Sequence, residues 1–122
     1  MEDENNEIVR LSFQFAVRIV RLSDYLKEKK REFTLSKQLL RAGTSIGANV
    51  TEAQDAQSKK DFVSKISIAL KEAKETRYWI SLLQATDYLP KNHHKITSLN
   101  SELDSIIRLL SSILISSKRN LG

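Results

Sequence analysis

Ser45, Asn49 and Glu52 stand at i, i+4 and i+7, a spacing that sets three polar side chains along one line of a helix. Position 49 falls in a slot where the surrounding pattern calls for an apolar residue. A buried asparagine must find hydrogen-bond partners or cost about 2 kcal/mol or more. Partners are on offer. Arg41 lies one turn before Ser45, and Glu72, Glu75 and Trp79 share an edge of a later segment. Two chemistries fit. One is a structural polar network of Ser45, Asn49, Glu52 and Glu75 that fixes the register of two helices. The other is a ligand or nucleotide pocket lined by Asn49, Glu52 and Glu75. Nothing else in the chain converges on a pocket, so the network is the expectation.

Catalytic and metal constellations are thin. His93 and His94 are adjacent, about 100° apart on a helix, and cannot share a metal as an i, i+4 pair can. They sit between Lys91 and Lys95 and read as exposed residues in a basic helix start. There is no Glu-x-x-His, no phosphate loop, no nucleophile elbow and no His-Glu-x-x-His. Cysteine is absent, which excludes disulfides and thiolate chemistry. The sequence predicts no enzyme, no metal site and no cofactor.

The basic residues are the stronger clue. Twenty Lys and Arg face fifteen Asp and Glu, a net charge of +5. Residues 1–7 hold four of the acids and no base, so the chain from Ile8 onward carries 20 bases against 11 acids. A pI near 9.6 puts nucleic acid among the partners to consider. Arg10, Arg18 and Arg21 share the polar arc of the first segment, Lys59 and Lys60 open the third, and Lys71 and Lys74 share its outward arc with Tyr78. These seven bases are the candidate nucleic-acid contacts. Lys27, Lys29, Lys30 and Arg31 close the first segment, where a helix dipole favours cations. Only Tyr25 and Tyr78 are placed to stack on bases. Binding is therefore expected to rest on the phosphate backbone and to select sequence weakly. A solvated surface explains any one of these clusters equally well.

The elements that would position these residues follow from the apolar period. Spacings of three and four recur in four segments. The seams are Ile8, Leu11, Phe15, Ile19, Leu22, Leu26; then Leu35, Leu39, Ala42, Ile46, Ala53; then Phe62, Ile66, Ala69, Ala73, Thr76, Ile80, Leu83; then Ile96, Leu99, Leu103, Ile106, Leu110, Ile113. They predict helices near 7–31, 35–57, 60–87 and 92–118. Thr34 is the expected N-cap of the second, and Ser58 with Asp61 forms a capping box for the third. Pro90 ends the third and can open the fourth. Short connections force antiparallel neighbours, so the fold class is all-α, an up-down-up-down four-helix bundle over 7–118. An acidic disordered N-terminus is expected at 1–6 and a frayed C-terminus at 119–122. Three glycines and one proline are too few for a β-sandwich or a doubly wound fold. No apolar run reaches membrane-span length, and the acidic start is no signal peptide, so the expected setting is cytoplasmic.

One bundle does not account for all the apolar surface. The first helix has a second stripe, Val9, Phe13, Ala16, Val17 and Val20, and the fourth adds Ile107, Leu109 and Leu114. Subunit association through these faces is the expectation; a loop over Phe13 and Val17 is the alternative. Gly43 and Gly47, four apart on one face, predict close approach of another helix.

The stretch Gln38-Leu-Leu-Arg-Ala-Gly-Thr-Ser-Ile-Gly-Ala-Asn-Val-Thr-Glu52 carries a resemblance, as does Lys60-Asp-Phe-Val-Ser-Lys-Ile-Ser-Ile-Ala-Leu-Lys-Glu-Ala-Lys-Glu75 followed by Tyr88-Leu89. From Phe15 to about Leu114 the chain resembles the bacterial four-helix-bundle proteins encoded in intervening sequences of large-subunit ribosomal RNA genes, the 23S rRNA-associated family. It departs at Ala53 and Gln54, where the family often has Gly, and at Glu72, where a small residue is common. The resemblance implies a small, basic, non-enzymatic bacterial protein. Related accessory proteins of diversity-generating retroelements form pentameric rings and bind nucleic acid and a reverse transcriptase. By that resemblance the partners would be copies of the chain in a pentamer and a nucleic acid, with RNA favoured. A protein partner for an oligomeric adaptor is the alternative.

Overall fold

A computed structural model describes residues 2–121. Four helices follow in order: α1 (Glu2–Lys29), α2 (Thr34–Gln54), α3 (Lys59–Ala85) and α4 (His94–Leu121). Among the described residues there is no strand. Each helix packs on two others in a closed ring, α1 on α2, α2 on α3, α3 on α4 and α4 on α1, with no close backbone approach across the diagonals among the described residues. That is the antiparallel bundle the short connections require. The periodic seams form its axis. Ile8, Phe15, Ile19 and Leu26 of α1 are fully buried against Leu39, Ile46, Ile66, Ile80, Leu103, Ile106 and Leu110. No described helix is long and apolar enough to cross a membrane.

The helix ends depart from the sequence reading in instructive ways. Of the acidic segment expected to be disordered at 1–6, the described part is helical, and α1 begins at Glu2. Carboxylates are favourable at a helix N-terminus, and the last turns of α4, which run on to Leu121, give the extension a neighbour. Ser112 Oγ donates to Glu4 Oε2 at 2.9 Å. The expected fraying at 119–122 meets a helix that continues to Leu121; Met1 and Gly122 lie outside the described residues. Thr34 does not cap α2. The Glu32 carboxylate does, accepting from Ser36 N at 2.8 Å, while Ser36 Oγ donates to Glu32 O at 2.7 Å. Ser58 caps α3 as read, accepting from Asp61 N at 3.0 Å, but Asp61 takes Gln57 N rather than Ser58 N.

The turn after α3 needs a left-handed residue, and Asp87 supplies it at φ 67°. Tyr88 N returns to Leu83 O and Asp87 N to Gln84 O, a Schellman closure. Pro90 therefore sits inside the connection and opens no helix. His93 starts α4 instead: its Nδ1 accepts from Lys95 N at 3.1 Å and its carbonyl from Ile96 and Thr97.

The α1–α2 seam is built from small residues. Ser12, Ser23 and Ser36 are buried there, and Ser23 Oγ donates to Ser36 O at 3.4 Å. A Cβ on Gly43 would lie 2.7 Å from Ile19 Cγ2, and one on Gly47 would lie 3.2 Å from Ser12 O. Glycine costs up to about 1 kcal/mol in a helix interior; here the absence of a side chain is what lets α1 reach α2. Gly43→Ala should lower the unfolding free energy by about 1 kcal/mol in urea titration, overpacking outweighing the helix-propensity gain. In an Ile19→Ala background, where both colliding carbons are gone, the same change should be neutral or stabilising.

Candidate nucleic-acid interface

The polar line of α2 is not the network its spacing suggests. The core register passes from Ile46 to Val50, which is fully buried, and leaves Asn49 half-buried beside it. Asn49 Nδ2 donates to Ser45 O at 2.8 Å, and Ser45 Oγ donates to Arg41 O at 2.6 Å. Both bonds are local to the helix. Glu52 pairs with Lys65 at 3.4 Å. Glu75 accepts from Arg41 and, at 3.3 Å, from Trp79 Nε1. The hub of the edge is Arg41, which also reaches Glu72 at 2.9 Å. The four predicted residues thus fall into separate pairings, two of them bridging α2 and α3. Neither of the two grooves at the ends of the bundle is lined by Asn49, Glu52 or Glu75.

Ion pairs sort the bases into two classes. Arg41 and Lys65 hold α2 to α3, Arg77 holds α3 to α4 through Asp104, and Arg18 holds α1 to α4. Arg18 is the most committed. It donates to Glu102 Oε2 at 2.9 Å, to Lys95 O at 2.9 Å and to Ser98 Oγ at 3.3 Å. It clamps α1 to α4 and, of the seven candidate contacts, is the one engaged within the chain. The other six, Arg10, Arg21, Lys59, Lys60, Lys71 and Lys74, are exposed and have no acid partner among the described residues. They do not converge on one patch by element: Arg10 and Arg21 are on α1, the four lysines on α3. Tyr78 is 59% exposed on the α3 arc and meets Trp79 edge-on at 5.1 Å.

The second apolar stripe of α1 is uncovered. Phe13 is 69% exposed and Val20 43%, with Val17 also open; no loop among the described residues lies over them. Its α4 counterparts Ile107, Leu109 and Leu114 are half-buried against the core, and Ile115 is the open one. His93 and His94 stack at 4.6 Å. Among the described residues no three His, Cys, Asp or Glu side chains come together to hold a metal. No local pattern marks Lys95 and Pro90 as sharing a groove with Arg21 and Tyr25, because some 70 positions separate them and only the antiparallel fold joins the two ends.

Comparisons with known proteins agree with this architecture. A family model described as 23S rRNA-intervening sequence protein matches residues 4–112. A crystal structure of a protein of unknown function from the S23 ribosomal protein family of Bacteroides thetaiotaomicron VPI-5482 is 48% identical, with a TM-score of 0.87. The match covers 91% of this chain and 97% of that one. No curated protein matches the chain.

Arg18→Ala should act on stability. We expect about 1 kcal/mol off the unfolding free energy, since a partly buried carboxylate loses its partner. The exposed Arg10→Ala should leave the same urea midpoint within error.

Proposed function

Since the chain belongs to the 23S rRNA-intervening sequence protein family, we propose that it is a non-enzymatic, self-associating bundle that holds RNA through unpaired surface bases. The observation that carries the reading is the sorting of charge. The structural pairs use up Arg18, Arg41, Lys65 and Arg77, and six candidate bases remain exposed without an acid partner among the described residues. Such groups can exchange their counterions for phosphates, the main source of affinity for a nucleic-acid backbone. A closed oligomer multiplies the field by its subunit number. Five is the number that the resemblance to the pentameric retroelement accessory proteins implies. The setting of this activity is cytoplasmic.

Self-association rests on α1. Phe13, Val17 and Val20 form an apolar stripe pointing away from the core, a surface that monomers seldom expose. The same stripe would serve an adaptor that docks another protein, which is the second reading. Phe13→Asp with Val17→Asp should convert the assembly to a folded monomer in sedimentation velocity, because neither side chain contributes to the fully buried core. A wild-type chain that is already monomeric would overturn self-association through this stripe.

The nucleic-acid part has its own test. Lys71→Glu with Lys74→Glu should weaken RNA binding by about tenfold or more. It should also reduce the slope of log K against log salt by about 1 to 2. Fluorescence anisotropy over a salt series reads both quantities. Unchanged affinity and slope would remove these lysines from the interface.

A further inference from the structure

The end of the bundle where α1 finishes and α4 begins carries a groove of about 550 Å³. That is the size of a small-ligand site. Its inner wall is apolar: Leu22 from α1, Leu89 from the connection, Ile96 and Leu99 from α4. Its rim is cationic and aromatic: Arg21 and Tyr25 from α1, His93 and Lys95 from the start of α4. No acidic residue lines it. Arg18 is in the wall as well, but Glu102 neutralises it. Arg21 and Lys95 have no such partner among the described residues. The backbone of α4 offers little to an anion here, because His93 already takes the N–H groups of Lys95, Ile96 and Thr97. Anion recognition in this groove therefore falls to the two side chains.

An occupant complementary to these walls is flat and apolar on one side and anionic at its edge. We infer that the groove takes an unstacked base of single-stranded RNA. The base lies on Leu22 and the Tyr25 ring, and Arg21 and Lys95 hold the phosphates on either side. The inference rests on the RNA-holding reading and gives that reading a specific site. Three features favour a nucleotide over an acidic peptide. Tyr25 is 41% exposed and presents a ring for stacking. The volume suits one or two nucleosides rather than a helix. The cations reach the groove from two different helices, Arg21 from α1 and Lys95 from α4.

This site differs from the α3 lysines in what it selects. Lys71 and Lys74 meet any phosphate backbone, whereas a base can enter the groove only if it is not paired. Single-stranded RNA should therefore compete for the groove better than a duplex of the same length.

The test combines mapping and affinity. Full-length protein is irradiated with a single-stranded RNA carrying 5-iodouridine, and the cross-linked peptide is identified by mass spectrometry. Anisotropy with the same RNA is then measured for Arg21→Glu with Lys95→Glu, for Tyr25→Ala and for Tyr25→Phe. All of these positions are at the exposed rim, and circular dichroism checks that each variant folds. The expected result is a cross-link at Tyr25 or His93. The charge reversal should lose about tenfold or more in affinity, Tyr25→Ala about tenfold, and Tyr25→Phe, which keeps the ring, nearly nothing. If wild type binds RNA but cross-links elsewhere, and the groove variants keep full affinity, the groove assignment is overturned and the wider reading stands. An acidic peptide that binds wild type and is lost from the groove variants, while their RNA affinity stays at the wild-type value, overturns it in favour of a protein ligand. If wild type holds no RNA at physiological salt, both are overturned.

Discussion

The close approach of α1 and α2 is the constraint from which the rest of the arrangement follows. Gly43 leaves room for Ile19 where a Cβ would stand 2.7 Å from Ile19 Cγ2, and Gly47 lets the backbone at Ser12 come near. Seating α1 this way fixes its rotation. Ile8, Phe15, Ile19 and Leu26 then point into the core, and Phe13, Val17 and Val20 are left on the opposite side with nothing over them. The fold and the unpartnered face are two consequences of one packing choice. A core that excludes a single methyl at a defined position has little freedom to rotate its helices.

The four seams of the ring are not held alike. Between α1 and α2 no ion pair is formed among the described residues; small side chains and a buried serine bond replace it. The other three seams each carry at least one Arg or Lys reaching a carboxylate on the next helix. These pairs lie at least partly in solvent, so each contributes modestly, about 1 kcal/mol or less. Their larger consequence is for function. They divide a basic chain into charges that hold helices together and charges left without a carboxylate partner among the described residues.

Much of this was readable from residue types alone, and the exceptions have physical reasons. The apolar period located all four helices and nearly all the core, including Thr76 among apolar neighbours on α3, because packing at 3.6 residues per turn is a local pattern. The Ser58–Asp61 cap was readable for the same reason. Asn49 was placed in a core slot because three and four are both allowed steps; the helix took the step of four, to Val50. The cap of α2 is not legible locally: Thr34 is already the first helical residue, and the glutamate two residues before the helix takes the Ser36 N–H instead. The Arg18–Glu102 pair is not legible in the sequence, because its partners are 84 positions apart, beyond any local signal. The groove of Arg21, Tyr25 and Lys95 was unreadable on the same ground. The resemblance carried by Gln38–Glu52 and Lys60–Glu75 did point to the family that the comparisons show.

The central claim is that the bases left over from architecture hold RNA. Its most direct test is a titration of wild-type protein with structured RNA, single-stranded RNA and duplex DNA, each at low and physiological salt, read by fluorescence anisotropy. The account predicts micromolar or tighter binding that survives physiological salt and ranks RNA above duplex DNA. Binding seen only at low salt, and equal for all three, would contradict it.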